Sequence, residues 1–474
     1  MTVLILLAVP LAGALALSRL TGRAAAIAHT ATGGLALAAA AGVAVVVTSG
    51  PVTALGGVLR ADGLSAWMAT LICLVAALAG TEAGRYAPFS SPGRFYPLWH
   101  LFVFTMLLAV TTDDVGLMWV AIEGTTLASV FLVNFERTRT SLEAAYKYLL
   151  ICSVGIALAF LGTVLVYFAD VTRFGEAEHV LRWTTLRRLA PGLPPSIVEM
   201  AFVFLLVGYG TKAGLAPMHT WLPDAHSEAP APVSAMMSGI LLAIGVYAIL
   251  RFKPIVELAA GPAFASRLLI GLGLVSMAVA AAFLWRPTNY KRMLAYSSVE
   301  HLGIVSLGLG FGGAWGLAGA MLHIANHALA KSVLFLVSGR IRAAYASTDI
   351  AAVRGLLARL PVSGPVFLAA MLALMGLPPF GLFVSEVMIF GAGFASGRVV
   401  ASVIGLVLLL IAFAGTLHAL QGMLHGEAAG RGVETRAWLS APLMAALAVL
   451  ILTGVAWPPG LADALAGIAA VIAP

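Results

Sequence analysis

The chain has 474 residues, of which 61% are hydrophobic and only 10% are charged, and its mean hydropathy is +1.01. Soluble domains carry about 25% charged residues, so this composition excludes a water-soluble enzyme and indicates that most of the chain faces lipid or other apolar helices. The net charge of +7 comes from dispersed basic residues, which is not typical of a nucleic-acid-binding surface. Two cysteines exclude a disulfide scaffold or a four-thiolate iron–sulfur cluster. We therefore predict a polytopic membrane protein without cofactor or metal that carries no electrons itself.

Apolar segments of about twenty residues recur along the whole chain, each long enough to cross about 30 Å of hydrocarbon. No hydrophilic domain and no sustained strand alternation are visible, so the predicted fold is all-α. The tail 461–472 is too short to span and is expected at the membrane interface, and the longest polar connection, 170–195, is expected to hold one surface helix. About fourteen transmembrane helices are predicted, at 2–20, 25–48, 63–84, 96–112, 114–134, 142–169, 196–217, 230–252, 264–286, 292–312, 314–338, 362–395, 399–423 and 438–458.

Lysine and arginine residues outside these segments set the predicted orientation. Cytoplasmic loops carry an excess of lysine and arginine, and the richer side here places both termini on the outer side of the cell inner (plasma) membrane. The connection 170–195 is the exception to this bias, and Arg251 and Lys253 are counted with it as loop residues of the outer side. The first segment has its positive charges, Arg19 and Arg23, after the apolar run, so it is interpreted as a retained span rather than a signal peptide.

Two of the predicted spans are interrupted. The seventh runs into Gly-Leu-Ala-Pro at 214–217, and the twelfth carries Gly-Leu-Pro-Pro-Phe-Gly at 376–381. Proline blocks the helix ladder, and irregular backbone at membrane depth survives only where protein or a wet cavity surrounds it. Broken helices at corresponding positions of two repeats point to a transport site, and Lys212 and Glu386 lie beside the two breaks. Two simple packing kinks are the alternative interpretation.

Ionisable residues inside the predicted spans are the main candidates for function, because each costs about 2.5–3.5 kcal/mol to insert at the bilayer centre. His323, His327 and Lys331 recur every four residues and therefore form one stripe along a helix. Burial and neighbouring charges can poise such groups near neutrality, as lateral proton transfer requires. The predicted proton relay consists of Glu123, Lys212, Glu300, His301, His323, His327, Lys331 and Glu386.

Structural interpretations of the same residues stay open. Glu123 and Lys212 are also consistent with a static buried ion pair, and His323 and His327 with core histidines or, far less often, metal or haem ligands. Lys147 follows Glu143 by four residues near a span end, so an interfacial ion pair competes with a relay role.

A polar, proline-stiffened loop at 212–232 is a second candidate site. It reads Lys-Ala-Gly-Leu-Ala-Pro-Met-His-Thr-Trp-Leu-Pro-Asp-Ala-His-Ser-Glu-Ala-Pro-Ala-Pro. Its spacing fits a proton entrance or a cation site as well as a structural re-entry loop. The candidate residues for an entrance or cation site are Lys147, His219, Asp224, His226 and Glu228.

Segment 212–232, together with Arg-Pro-Thr-Asn-Tyr-Lys-Arg-Met-Leu-Ala-Tyr-Ser-Ser at 286–298, closely resembles the antiporter-like proton-channel subunits of respiratory complex I, Mrp-type antiporters and membrane-bound hydrogenases. The resemblance covers about residues 60–425. It implies fourteen helices with two inverted five-helix repeats, each containing a broken helix. The implied domains are N-terminal transmembrane helices 1–3 at 1–95, a first repeat at 96–252, a second repeat at 253–425, and a C-terminal helix and tail at 426–474.

The resemblance also implies roles for individual residues. By motif, Glu123 looks like the carboxylate of the fifth span that pairs with the lysine of the seventh, here Lys212. The run Asn-His-Ala-Leu-Ala-Lys-Ser-Val-Leu-Phe at 326–335 looks like the histidine-bearing eleventh span. Glu386, after Gly-Leu-Pro-Pro, looks like the terminal carboxylate of the broken twelfth span.

At two positions the sequence differs from complex I members, which indicates the branch of the family that it resembles most. Ala243 stands where complex I members usually carry a lysine or histidine, and Glu300-His301 stands where they usually have Ser-His. The Ser-Ser-Val-Glu-His run, with the segment 137–148, is most similar to component F of hydrogenase-4-type complexes. Glu300, His301 or a water chain would have to bridge the gap at Ala243.

The function implied by the resemblance is proton translocation within a redox-driven assembly of hydrogenase-4-like or complex I-like, NADH–quinone oxidoreductase type. The expected partners are other membrane subunits and, through them, a peripheral redox module that does the oxidoreductase chemistry. The expected transported ion is the proton, and transport of sodium stays open. The alternatives are a subunit of a redox-independent multisubunit cation/proton antiporter, and a membrane-arm scaffold that has lost transport, which Ala243 suggests.

Overall fold

The structure is a computed structural model, and it describes residues 1–86, 92–175, 181–426 and 440–473. These residues are mostly α-helical, which confirms the all-α prediction. One short antiparallel hairpin joins β1 (Val52–Ala54) to β2 (Leu59–Ala61), with Thr53 paired to Arg60. The hairpin connects two helices and adds no separate domain.

The described helices are long and apolar. Ten of them in the described ranges can cross a membrane by length and composition, so the chain is an integral membrane protein. A helix also lies at each of the other predicted segments, although those at 2–20, 362–395 and 438–458 contain only helices shorter than 18 residues. Residues 438 and 439 of the last segment lie outside the described residues. The count of fourteen crossings stays a prediction.

The chain forms two compact units, of which the first comprises Met1–Gly214, Ile240–Leu268 and Gly467–Pro474. It contains the short 3-10 turns Leu55–Gly57 and Ala190–Gly192. Its helices are α1 (Thr2–Leu17), α2 (Gly22–Val47), α3 (Gly63–Tyr86), α4 (Pro92–Thr111), α5 (Val115–Val133), α6 (Arg139–Phe174), α7 (Trp183–Leu189), α8 (Pro195–Ala213) and α11 (Leu242–Ala260).

The second unit comprises Leu215–Gly239 and Leu269–Ala466. A π-helical turn, Met237–Leu241, follows α10, and 3-10 turns lie at Met218–Thr220 and Ile350–Ala352. Its helices are α9 (Trp221–Glu228), α10 (Ala231–Met236), α13 (Tyr290–Phe311), α14 (Gly313–Tyr345), α15 (Leu356–Arg359), α16 (Ser363–Leu374), α17 (Gly381–Ala395), α18 (Val399–Leu424) and α19 (Ala441–Val455). The helices α12 (Pro262–Leu284) and α20 (Leu461–Ile472) contribute residues to both units.

Both interruptions that the sequence predicts are breaks in the helical backbone. The helix α8 ends at Ala213 and is capped by Gly214, whose left-handed conformation (φ 75°) lets its N–H bond the carbonyl oxygens of Gly210 and Thr211. The second break lies between α16 and α17, where Gly376 has φ 67°. A side chain at Gly376 would collide with the carboxyl group of Glu386, so glycine here serves both the turn and the placement of that carboxyl.

The predicted surface helix in the connection 170–195 is confirmed as α7. Trp183 and Leu186 bury one face of α7, and the Arg187 guanidinium donates to the carbonyl oxygens of Val471 and Ala473 at the end of α20. Residues 176–180 of the connection lie outside the described residues.

Arg251 and Lys253 correct the prediction that they are loop residues. Both lie in α11 and are buried, with exposures of 5% and 3%. Each has an acidic partner that offsets the cost of burying its charge: Arg251 binds Asp62, and Lys253 donates to Glu257 at 2.7 Å. The count of loop lysines and arginines that set the predicted orientation therefore included two residues that lie in a helix and are paired there.

Candidate functional site

The first candidate site lies in the first unit, where α5 and α8 both pack against α6. The ammonium of Lys212, at the end of α8, is fully buried. It donates to the hydroxyls of Thr126 and Tyr148, each at 2.9 Å. Its Nζ also lies 5.1 Å from the centre of the Tyr148 ring.

The carboxylate of Glu123 completes this site. Thr126 Oγ1 donates to Glu123 Oε2 at 3.3 Å, and Ser153 Oγ donates to Glu123 Oε1 at 2.8 Å. The hydrogen-bonded route from Lys212 to Glu123 therefore passes through a hydroxyl group. A hydroxyl both donates and accepts, so this route can hand a proton from one charged group to the other.

Close packing of α6 against α8 brings the tyrosine to the lysine. A methyl group on Gly208 would lie 2.5 Å from the carbonyl oxygen of Gly155, so only glycine permits this approach. On α6, Tyr148 is hydrogen-bonded to Ser129 at 2.7 Å as well as to Lys212. The sequence interpretation missed Thr126, Tyr148 and Ser153. The position of Thr126 three residues after Glu123, on the same helix face, is a signal that could have found it.

The second candidate site lies in the second unit, between α13, α14 and α17. It brings together six of the predicted relay residues, all less than 7% exposed: Glu300, His301, His323, His327, Lys331 and Glu386. His301 Nδ1 lies 2.9 Å from His323 Nε2, and His323 Nδ1 lies 2.9 Å from Ser385 Oγ. The rings of His301 and His327 are 5.2 Å apart. The histidine stripe of α14 thus faces α13 and α17.

The second site also contains an ammonium group and two carboxyl groups. Lys331 Nζ donates to the carbonyl oxygen of Leu294 and the hydroxyl of Ser297. Glu300 lies within electrostatic range of both Lys331 and Glu386. Buried polar atoms in folded proteins are nearly always bonded to protein, water or an ion. Within the described residues, Glu386 Oε1 and His327 Nε2 have no hydrogen-bond partner.

The proline-stiffened loop forms α9 and the 3-10 turn before it. Lys291 Nζ donates to the carbonyl oxygens of Ser227 and Ala229 at 2.7 and 2.9 Å, which holds the end of α9. The imidazole of His226 is fully buried and stacks on Phe335 of α14. The loop therefore delivers one histidine to the helix that carries the histidine stripe.

The remaining entrance candidates are more exposed or separately placed. Asp224 Oδ1 accepts from Arg292 at 2.6 Å in a partly exposed pair, while His219 is 7% exposed in the 3-10 turn. Lys147 belongs to the first unit and pairs with Glu143 at 2.7 Å, with both side chains largely exposed. That is the geometry of the interfacial ion pair. Glu228, at the end of α9, is half-buried.

Ala243 is buried in α11, two residues after the π-helical turn Met237–Leu241. Such turns occur often at functional sites. The turn also carries Ser238, whose hydroxyl lies 2.8 Å from that of Ser298 on α13. Position 243 thus carries no basic side chain, and one hydroxyl group, that of Ser238, lies on the preceding turn.

Asp62 and Arg251 form a further buried constellation in the first unit. Two guanidinium nitrogens of Arg251 bind the two carboxylate oxygens at 2.7 and 2.8 Å, and Tyr247 and Ser65 accept further bonds. Burial disfavours the carboxylate, but the charge and hydrogen bonds of Arg251 outweigh it and lower the pKa of Asp62 to about 2. No motif indicated this pair, whose members are 189 residues apart in the sequence.

This architecture and its buried charges define a class of membrane protein. Residues 112–457 match the family described as NADH:quinone oxidoreductase/Mrp antiporter, transmembrane. The match covers more than half of the chain, which therefore belongs to that family, and the resemblance seen in the sequence is confirmed.

Individual relatives place the chain within that family. It is 39% identical over 379 residues to the hydrogenase-4 component F homolog of Methylacidiphilum infernorum, which covers 80% of this chain and 79% of that protein. It is 33% identical over 342 residues to NADH-quinone oxidoreductase subunit N of Desulforudis audaxviator, covering 70% of this chain and 65% of that protein. The chain spans just under two thirds of the subunit N relative.

Solved structures share the fold over nearly the whole chain. A chain of the archaeal membrane-bound sulfane sulfur reductase superimposes with a TM-score of 0.91 at 22% identity, covering 99% of this chain and 97% of that one. A chain of respiratory complex I from Thermus thermophilus superimposes with a TM-score of 0.80 at 28% identity, covering 97% and 98%. Both neighbours are subunits of multisubunit membrane complexes.

Proposed function

We propose that this chain is the proton-translocating membrane subunit of a redox-driven complex of hydrogenase-4 or NADH–quinone oxidoreductase type. The observation that carries the proposal is the hydrogen-bonded route from the buried Lys212 through the hydroxyl of Thr126 to Glu123. A carboxylate and an amine joined through a hydroxyl can exchange a proton when either charge is disturbed. The named relatives, a hydrogenase-4 component F homolog and a quinone oxidoreductase subunit, support this choice.

The two sites have different roles in this proposal. Glu123 and Lys212 form a switching pair whose charge state controls the neighbouring groups. In the second unit, the hydrogen-bonded His301 and His323 carry the proton, and Glu386 is its exit. His327, Lys331 and Glu300 belong to the same relay. Every member except the half-buried Glu123 is buried, which supports the assignment because ionisable groups are rare in membrane spans unless they have a function.

The polar loop supplies the proton entrance in this proposal. His226 is buried against α14, while Asp224 and His219 are nearer the loop surface. Glu228 completes this group. Lys147, in its exposed pair with Glu143, is a separate and peripheral candidate for the same role.

The finer architecture belongs to the proposal as well. We assign fourteen transmembrane helices with two inverted five-helix repeats at 96–252 and 253–425, flanked by the segments 1–95 and 426–474. Both termini lie on the outer side of the inner membrane, and α20 lies at the interface. The two backbone breaks, one in each repeat, support this assignment.

Partner subunits supply the driving force in this proposal. The chain assembles with other membrane subunits and, through them, with a peripheral redox module. No electron passes through the chain, and the transported ion is the proton.

Reconstitution of the complex tests this function. The chain is purified with its native partners and incorporated into proteoliposomes, and acidification is followed with a pH-sensitive dye during turnover of the redox module. Lys212→Met is expected to reduce proton transport at least tenfold while the subunits still co-purify. The matched control, Glu199→Gln, changes a half-buried carboxylate at the start of α8 and should transport protons like the wild type.

The same preparation separates the alternatives. Sodium-dependent proton flux from proteoliposomes that lack every redox partner would replace the proposal with a cation/proton antiporter. Full transport by an assembled Lys212→Met variant would contradict the role of the switching pair. If Lys212→Met and Glu123→Gln change only assembly, the chain is a scaffold.

A further inference from the structure

Three potential metal ligands meet in the second unit. One ligand atom from each of His301, His323 and Glu386 lies within 4.8 Å of the other two, and all three side chains are buried. Among the described residues, no other group of three or more histidine, cysteine or acidic side chains brings its ligand atoms this close together.

From this geometry we infer that His301, His323 and Glu386 bind a divalent transition-metal ion with the preferences of Zn²⁺. Zinc favours imidazole nitrogen and carboxylate oxygen, and three protein ligands with one open position are typical of its reactive sites. Two donors of a tetrahedral zinc ion lie about 3.3 Å apart. The 2.9 Å between His301 Nδ1 and His323 Nε2 is within a few tenths of an ångström of that spacing.

Hydrogen bonds around the two imidazoles support this assignment. A zinc-bound histidine usually bonds its second ring nitrogen to a carboxylate, a backbone carbonyl or another polar group, which fixes the orientation of the ring. His323 bonds Ser385 Oγ through Nδ1, which leaves Nε2 for the cluster. His301 makes a hydrogen bond to the backbone of Leu374. Each imidazole ring is thus oriented by a hydrogen bond on the side away from the cluster.

The carboxyl group of Glu386 has an oxygen atom free to bind an ion. Glu386 Oε1 is buried and has no hydrogen-bond partner among the described residues. Glu386 also lines a cavity of about 550 Å³ between α17 and α18, and the other residues that line this cavity are apolar. Glu300 places a second carboxyl group near that of Glu386.

The bound ion blocks the relay, and this part of the inference rests on the proposed function. Zinc needs the lone pairs of His301 Nδ1 and His323 Nε2, the same two atoms that share the hydrogen bond. Binding displaces the shared proton and removes the link through which the proton would pass. The site therefore gives the chain a defined point of metal inhibition.

Direct metal binding tests the site without any transport assay. The complex is equilibrated with Zn²⁺ and passed through a desalting column, and its zinc content and zinc X-ray absorption are measured. One ion per chain is expected, with two imidazoles in its first shell. His323→Gln and Glu386→Gln should weaken binding more than 100-fold, and Ser385→Ala about 10- to 100-fold.

A second histidine pair provides the control. His29 Nδ1 lies 3.0 Å from His100 Nε2 in the first unit, so the same two ring atoms are in contact as in the His301–His323 pair. No carboxylate joins this pair within the 4.8 Å limit among the described residues. His29→Gln should leave zinc content unchanged. Loss of zinc in His29→Gln, or retention of zinc in both His323→Gln and Glu386→Gln, would overturn the site.

Transport measurements then separate this inference from the proposed function. With one zinc ion bound, redox-driven proton transport should fall at least tenfold and recover when the metal is chelated. Zinc bound at the three ligands with no effect on transport would overturn the inhibition. A wild-type complex that binds zinc but never transports protons would contradict the proposed function and leave the binding site standing.

Discussion

Two pairs of acid and base in the first unit, Asp62–Arg251 and Glu123–Lys212, are built in different ways. Arg251 and Asp62 make a bidentate salt bridge with both nitrogen–oxygen distances below 2.9 Å. Lys212 instead donates to the hydroxyls of Thr126 and Tyr148, and it reaches the carboxylate of Glu123 only through Thr126. Both bases are buried inside helices.

The difference shows which pair can change its charge. Charge-assisted bidentate bonds are strong and hold both groups ionised, and an arginine does not lose its proton in proteins. A lysine bonded to hydroxyls can lose a proton, and the hydroxyls can pass it on. The same contrast extends to the second unit, where imidazoles replace hydroxyls between the charged groups. We therefore interpret Asp62–Arg251 as a static structural pair and Glu123–Lys212 as the switch.

Removing the acid of the static pair should have the largest effect on stability. Asp62→Asn leaves the Arg251 guanidinium buried without a compensating charge, which costs about 3–5 kcal/mol. Thermal unfolding in detergent should show a correspondingly lower midpoint. Asp463→Asn, on the exposed face of α20, is the matched control and should stay within about 0.5 kcal/mol of the wild type. An Asp62→Asn variant as stable as the control would remove the distinction between the two pairs.

Acid should weaken the same pair. The pKa of Asp62 is about 2 in the folded chain and 3.8 in the unfolded chain. The contribution of Asp62 to stability is therefore fully present above pH 4 and is lost as the pH falls through about 2. The contribution is about 2 kcal/mol by the size of this shift. The stability difference between wild type and Asp62→Asn should therefore shrink when both are unfolded at progressively lower pH below 4. A constant difference down to pH 2.5 would contradict the assignment.

Tyr148→Phe should destabilise the fold less than Asp62→Asn does, but it should reduce proton transport more. It removes one acceptor of the Lys212 ammonium, which costs about 1–2 kcal/mol, and leaves the packing of the ring intact. Proton transport per redox turnover should fall several-fold because one hydroxyl of the switch is gone. A variant with normal transport would show that Thr126 alone provides the route.

The smallest effect is expected at the exposed pair of Glu143 and Lys147. Exposed ion pairs contribute about 0–1 kcal/mol, so Glu143→Gln should shift the midpoint of thermal unfolding only slightly. Increasing the salt concentration should reduce even that difference. A loss comparable with that of Asp62→Asn would mean that exposure does not distinguish these pairs.

Sequence patterns indicated where the helices and many of their ionisable residues lie, but seldom which partners those residues contact. Apolar runs and proline-rich breaks predicted where helices lie and where α8 ends, because both signals are local. Ionisable residues inside spans predicted Lys212 and the cluster around His323, since their rarity there is itself informative. The salt bridge of Asp62 with Arg251 depends on contacts across 189 residues, which no local pattern reports. The hydrogen bond between Tyr148 and Lys212 could not be predicted for the same reason, because it joins residues that are distant in the sequence.

The most direct test of the account is the number of protons translocated per electron pair by the complex that carries Glu123→Gln. The substitution keeps the shape of the side chain and its bond to Ser153 but removes the charge that the switch needs. We predict that the redox reaction continues and that the subunits remain assembled. The number of protons translocated per electron pair should fall below that of the Glu199→Gln control by at least the number that one such subunit translocates. A ratio equal to that of the control in an assembled complex would contradict the account.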